Sequence, residues 1–206
     1  MENEAHWYAI KVFYNRVFEM ETLLNPYGIE TFVACEKVKL EGRDRGSAVK
    51  RLADENDHIA HRMYEQTGPD VFRNKPMVNS ILFARADEQQ VSIIEEKLSD
   101  KETGIKKGFI YKDSTWKHYC VIPDLQMSFF KDAILKYGDK VRILTDVKPT
   151  RFNTGDRVRV KEGPFKGAEG YIIRINKDRR FVVCIEGVLA VATSYIPKHM
   201  LEKVEE

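Results

Sequence analysis

The sequence lacks most of what would mark a secreted, metal-bound or membrane-spanning protein. Its 206 residues hold three cysteines, Cys35, Cys120 and Cys184, far apart and without paired spacing. That excludes a disulfide framework and argues against a zinc site, leaving each cysteine as a small buried hydrophobe in a strand-like context. No apolar run approaches the length of a membrane helix. The opening Met1-Glu2-Asn3-Glu4-Ala5-His6 has no apolar core of the signal-peptide kind, so a cytoplasmic protein without a membrane partner is expected. Charge of one sign is scarce as well: 34 basic residues against 32 acidic ones leave +2. That balance supplies no global electrostatic grip on nucleic acid; it leans toward protein partners and leaves room for a local basic face.

What the chain does contain is a hydrophobic content of 43%, enough for a packed core, and one informative stretch. Gly155-Asp156-Arg157-Val158-Arg159-Val160-Lys161-Glu162-Gly163-Pro164-Phe165-Lys166-Gly167-Ala168-Glu169-Gly170 reads as strand, glycine-rich loop and second strand. Val158 and Val160 alternate with charge, the period of a half-buried strand. Gly163-Pro164 stops that strand, because proline donates nothing to a ladder. Gly167 and Gly170 then permit a kink or a close backbone approach. Strands follow at Tyr171–Ile175, Arg180–Glu186 and Val188–Thr193, and five short strands close readily into a small barrel.

Ahead of this, Trp7–Phe13 reads as a strand and Arg16–Leu24 as a helix with Val17, Met20, Leu23 and Leu24 on one stripe. Ile29–Leu40 and Met77–Arg85 read as strands. Glu88–Leu98 reads as a helix with Val91, Ile94, Glu95 and Leu98 in line. Phe109–Tyr111 and Tyr119–Ile122 form a hairpin pattern, and a helix runs from Pro123 to about Leu135. The order predicts an α+β domain, an antiparallel-type sheet flanked by helices. Residues 42–75 form an excursion: a charged lead-in, a helix over Ser47–Tyr64, and a stop at Thr67-Gly68-Pro69-Asp70. It reads either as a solvated surface excursion or as a recognition element. His58 and His61 lack a third metal ligand. The expected domains are 1–143 with the insertion at 42–75, a linker at 144–153, and the barrel at 154–206.

The glycine-rich stretch resembles the KOW motif of transcription and ribosomal proteins. The front resembles the N-terminal domain of the NusG family of elongation factors. Trp7-Tyr8-Ala9-Ile10 is similar to that family's first strand, and Pro76-Met77-Val78-Asn79-Ser80-Ile81-Leu82-Phe83-Ala84 to its Pro-Leu-Phe-Pro-Gly-Tyr-Val-Phe-Val segment. Ile122-Pro123-Asp124-Leu125-Gln126-Met127 is similar to the opening of its last helix. The resemblance implies docking on the clamp helices of RNA polymerase through an apolar patch that includes Ile81 and Phe83. Alternation puts both on one face without saying which, so Phe83 as plain core stays an equal reading. It also implies contact with the non-template DNA strand or nascent RNA through basic residues such as Arg16, Arg43 and Arg45. The KOW surface, Phe165, Lys166, Ile185, Glu186 and Val188, would meet a ribosomal protein or a termination factor. Ile185-Glu186-Gly187-Val188 stands where the general factor has Ile-Phe-Gly-Arg, removing two residue types frequent at binding hot spots. Tyr14-Asn15-Arg16 resembles the Tyr-x-Arg of specialised paralogues that antiterminate capsular polysaccharide operons. That role is the one implied here.

No nucleophile elbow or phosphate loop is present, so no enzyme, cofactor or metal chemistry is expected. The alternative is an RNA-binding KOW protein acting on the ribosome or a structured transcript. It would grip RNA through Arg157, Arg159, Lys161 and Lys166 beside Phe165, although Glu162 and Glu169 interleave with them.

Overall fold

The structure, a computed structural model, describes residues 4–99, 103–113, 115, 117–137, 141–144, 157–163, 165–175, 178–185, 188–192 and 197–204. The chain forms two compact units. One holds residues up to Ala5 together with Ala9–Ile110, and the other holds His6–Tyr8 together with residues from Tyr111 onward. The expected linker at 144–153 lies outside the described residues apart from Leu144.

The first unit takes the part of β1 (His6–Val12) from Ala9 onward, with β2 (Glu30–Phe32), β6 (Ile81–Ala86) and β7 (Gly108–Ile110), in the order β2-β6-β1-β7. β2 runs antiparallel to β6 with Phe32 opposite Phe83, and β7 antiparallel to β1 with Ile110 opposite Ile10. Both central strands carry unbroken buried runs, Trp7–Ile10 and Ile81–Ala84. Such runs belong to strands covered on both faces. Two helices contribute to that unit. In α1 (Val17–Leu24) the buried stripe is Val17, Phe18, Met20, Glu21 and Leu24. Leu23, expected on the stripe, is 43% exposed. In α4 (Glu88–Leu98) Val91, Ile94 and Leu98 are buried and the expected Glu95 is exposed. This helix starts where its residues say it should. The Asp87 carboxylate accepts from the Gln90 backbone N–H at 2.8 Å, and the Gln90 side chain accepts from the Asp87 N–H at 3.1 Å. Two donors left over at the helix end are thereby satisfied.

The insertion departs from expectation. It holds two helices and a hairpin in place of one helix and a loop. α2 (Gly42–Leu52) begins inside the charged lead-in, and α3 (His58–Met63) follows a break. The cause is Asp57. Its carboxylate accepts from the Ala60 N–H at 2.8 Å, starting a new helix, and takes both Nε and Nη2 of Arg51 at 2.8 and 3.1 Å. Those Arg51 bonds hold the Asp57 carboxyl below the usual carboxylate range. Thr67-Gly68-Pro69-Asp70 is the turn between β4 (Tyr64–Thr67) and β5 (Asp70–Pro76) rather than a helix stop. With β3 (Cys35–Lys39) these strands make a sheet of order β3-β5-β4. Its charges are paired across strands: Lys37 with Glu65, Lys39 with Asp70 and Lys75 with Glu36, at 2.7–2.8 Å.

One buried charge joins the insertion to α1. Glu21 is 1% exposed. Its carboxylate accepts from Arg62 Nε and Nη2 at 2.8 and 2.7 Å and from the Thr31 hydroxyl at 3.0 Å. Both carboxylate oxygens are hydrogen-bonded, which is what a buried carboxylate requires. The Cys35 thiol lies in the same surroundings. Burial, and then the Glu21 charge, push its pKa up to about 12.

The second unit contains β8 (Val121–Ile122), α5 (Asp124–Tyr137) and a six-stranded sheet. β8 pairs antiparallel with Trp7 and Tyr8. The expected hairpin is present as a rung between Lys112 and Tyr119 and a bond from the Cys120 N–H to the Tyr111 carbonyl. The sheet is antiparallel, from β9 (Arg142–Leu144), β10 (Arg157–Val160), β11 (Glu169–Ile175), β12 (Asp178–Ile185), β13 (Leu189–Ala192) and β14 (Leu201–Lys203). Its order is β14-β10-β11-β12-β13-β9. Five strands come from the stretch expected to supply five, and β9 adds a sixth from upstream. α5 packs on β12 and buries Met127, Phe130, Ala133 and Ile134. Lys131 Nζ sits 3.9 Å from the centre of the Trp7 ring.

Removing Arg62 strands a buried charge. Arg62→Met should destabilise the protein by about 3 kcal/mol, the low end for a broken buried pair because Arg62 is itself half exposed. The Glu21→Met, Arg62→Met double variant should recover most of that loss in thermal melts. Cys35 should react with iodoacetamide at pH 8 on the order of a thousandfold more slowly in the native than in the unfolded chain, read by peptide mass spectrometry, since only the thiolate attacks.

Candidate functional site

The residues singled out in the sequence fall into three places. On β6, Ile81 is 4% and Phe83 1% exposed. An exposed apolar anchor was one expectation there, and the structure buries both side chains. Phe83 stands opposite Phe32 of β2 on a strand with four consecutive buried residues, so burial follows from its central place in the sheet.

The second place is the turn after β1. Two bonds pin the end of that strand: the Val12 N–H to the Ser80 carbonyl at 2.8 Å and the Phe13 N–H to the Lys107 carbonyl at 2.7 Å. The chain then reverses through Tyr14 and Asn15, both left-handed at φ 59° and 57°. Asparagine tolerates that region; a bulky aromatic does not do so readily. Tyr14 is 75% exposed, and Phe13 meets both Tyr14 and Phe109 edge-on, with ring centres at 6.4 and 6.0 Å. Arg16 follows, exposed and 3.6 Å from the Glu19 carboxylate. Arg43 and Arg45 lie elsewhere, on α2. The Arg45 guanidinium donates to the Pro69 carbonyl at 2.8 Å, which braces the β4–β5 turn.

The third place is the glycine-rich loop between β10 and β11. Val160 anchors both sides of it: its N–H donates to the Ala168 carbonyl at 2.9 Å and its carbonyl accepts from the Gly167 N–H at 2.7 Å. Gly167 has φ 87°, the left-handed region that favours glycine. Gly170 stands where β11 passes β12, and a Cβ there would collide with the Val182 carbonyl oxygen. Phe165 is buried, Lys166 exposed and Val188 buried. Ile185 ends β12 opposite Leu189, and Glu186 lies outside the described residues.

The two arginines of the basic cluster beside this loop are paired in register. Arg159 is opposite Glu169 in the β10–β11 ladder and opposite Glu202 in the β10–β14 ladder. It donates to Glu169 at 2.6 and 3.0 Å and to Glu202 at 3.3 Å, while Arg157 donates to Glu169 at 3.1 Å. Arg159, above all, holds the Glu169 carboxyl below the usual carboxylate range. Sequence reasoning noted Glu169 as interleaved but missed Glu202, whose pairing depends on a strand more than forty residues away in the chain.

Residues 154–184 match the KOW motif. That places the motif over β10, β11 and most of β12. No curated protein matches the chain. Among solved structures it is similar to Thermotoga maritima NusG, studied for its domain interaction, at 14% identity over 98% of each chain with a TM-score of 0.41. No helix of the described residues is long and apolar enough to cross a membrane.

Phe83→Ala should cost about 3–5 kcal/mol, the range for emptying a buried aromatic site. A chemical-denaturation midpoint that barely moves would show the side chain to be dispensable to the core.

Proposed function

We propose that this protein is a transcription elongation factor of the NusG kind, specialised for antitermination of particular operons. The observation that carries the reading is the KOW match over residues 154–184; ahead of it, the NusG-like segments fall at Trp7–Ile10 on β1 and at Pro76–Ala84, from the end of β5 through a turn into β6. On this reading the first unit docks on the RNA polymerase clamp in the cytoplasm, and the KOW unit recruits a second protein. Ile81 and Phe83 then act as the packed base that shapes the docking surface. Arg16, beside the exposed Tyr14, and Arg43 and Arg45 on α2 are all exposed to meet the non-template strand. Binding, and not catalysis, is the activity proposed, with no cofactor.

The RNA-binding alternative, framed on Arg157, Arg159, Lys161 and Lys166 beside Phe165, finds both arginines engaged by Glu169 and Glu202 and the Phe165 ring buried. Their charge is already compensated, so the polymerase reading is favoured over a grip at that cluster.

The test is single-round transcription by core RNA polymerase through a pause site and an intrinsic terminator, with the full-length protein added. The protein should co-elute with polymerase, shorten pauses and raise read-through. Tyr14→Ala with Arg16→Ala should keep co-elution and lose at least half of the pause suppression. Failure of the folded wild-type chain to co-elute would overturn the proposal.

A further inference from the structure

The end of the β1–β7 ladder in the first unit alternates rings with cations. Lys11 of β1 stands opposite Phe109 of β7, while the neighbouring rungs turn Ile10, Val12, Gly108 and Ile110 to the buried face. Just beyond, the Phe13 N–H donates to the Lys107 carbonyl, which sets a second ring beside a second lysine. Lys11 Nζ donates to the Ser80 hydroxyl at 2.7 Å, and Lys106 Nζ lies 5.8 Å from the centre of the Phe109 ring. The rings form a row. Phe13 meets Phe109 edge-on on one side and Tyr14 on the other, at 6.0 and 6.4 Å. Tyr14 is therefore the outermost member of a buttressed set of three, and it is 75% exposed. Its left-handed backbone, φ 59°, fixes the direction of its side chain, and strained residues of this kind cluster at ligand-binding segments. The charge around these rings is of one sign. Residues 11–18 and 103–109 carry Lys11, Arg16, Lys106 and Lys107 and no carboxylate, although the whole chain is nearly balanced.

From this arrangement we infer that the first unit binds single-stranded nucleic acid by stacking a base on the Tyr14 ring, with Arg16, Lys106 and Lys107 meeting the flanking phosphates. The inference rests on the reading that this unit meets a nucleic-acid strand near Arg16. It adds the mode of contact and the lysines of a second segment. Stacking suits a ring that is exposed and already held, because little freedom is lost when a base covers it. It also requires a single strand, since the bases of a duplex have their faces covered by one another. Every base has a π-face, so the contact is tolerant of sequence. Cations interleaved with the rings, and no carboxylate among them, favour a polyanion over an apolar protein segment. RNA and single-stranded DNA share the chemistry, so the experiment carries both.

Fluorescence anisotropy with the full-length protein, in the absence of polymerase, tests this. The probes are a fluorescein-labelled single-stranded DNA of about 16 nucleotides, the upper end for sites of this kind, and RNA of the same sequence. Each is compared with its duplex and with a strand carrying abasic linkers in place of the bases. Wild type should bind at least one intact strand about fivefold or more tightly than its abasic counterpart, the low end for one stacked base. It should also prefer that strand to the duplex. Tyr14→Ala should lose the preference for bases while keeping the salt dependence, and Tyr14→Phe, which retains the ring, should restore it. Lys106→Gln with Lys107→Gln should instead weaken intact and abasic strands alike. It should lower the slope of log affinity against log salt by about 1.4, the loss of about two single-strand phosphate contacts. Tyr27→Ala, the same change at an exposed tyrosine outside this surface, should match wild type. The strand bound more tightly, DNA or RNA, identifies the source. The inference is overturned if wild type binds neither single strand, or binds intact, abasic and duplex probes alike. It is equally overturned if folded Tyr14→Ala keeps the preference for bases. Circular dichroism checks each variant, and the comparison of intact with abasic strands on wild type needs no variant. Wild type that co-elutes with polymerase yet shows no preference for bases overturns this inference alone and leaves the docking proposal standing.

Discussion

The first unit depends on one buried carboxylate. Glu21 occupies a position on α1 that helical spacing reserves for an apolar side chain, between Val17 and Leu24 on the stripe that faces the core. A charge there is tolerable only if its partners arrive from elsewhere, and they do. Thr31 comes from β2, and Arg62 comes from α3 of the insertion. The bond is therefore more than a contact between neighbours. It makes the seating of the 42–75 segment a condition for burying α1. Asp57 extends the chain of dependence, because it both starts α3 and ties Arg51 of α2 to it. An insertion that the sequence left open between a solvated surface excursion and a recognition element is thus joined through its charges to a core helix.

The second unit solves a different problem, that of joining two strands through a loop without losing register. Val160 offers both its N–H and its carbonyl to the returning chain, and Gly167 adopts the backbone conformation that lets the loop close. The lack of a side chain at Gly170 lets β12 pass. These are backbone requirements, which is why a motif of glycines and alternating valines identifies the segment with so little else shared. The arginines beside the loop add cross-strand pairing at the surface. Exposed pairs of this kind contribute little each, but they tie β10 to a strand on either side of it through Arg159.

Legibility followed how local the cause was. Helix α4 was readable to the residue because Asp87 and Gln90 are a cap within one turn. The KOW stretch was readable because its turn chemistry lies within sixteen residues of sequence. The break between α2 and α3 was not, since the apolar residues continue across it and only the Asp57 cap, paired to Arg51, decides that a new helix begins. Ile81 and Phe83 were legible as a shared face and illegible as buried, because alternation carries no information on which face is covered. Leu23 was expected on the buried stripe, and Glu21 is buried there for a tertiary reason: Arg62 is forty-one positions from Glu21, and no window along α1 contains it.

The strained turn at Tyr14 and Asn15 fits the same hierarchy. A left-handed residue other than glycine costs about 1–2 kcal/mol, and two in succession persist only where their surroundings leave no alternative. Here β1 is held to its last residue by bonds to Ser80 on one side and Lys107 on the other, so the chain cannot begin to turn earlier. It must also reach Val17 in time for α1 to present Glu21 to Thr31 and Arg62. The reversal is compressed into the residues between those two anchors, and Tyr14 is pushed outward by the backbone conformation that results. Its exposure is therefore a consequence of where the buried carboxylate has to be. The exposed aromatic two residues before Arg16 thus follows from a turn confined between the end of β1 and the start of α1.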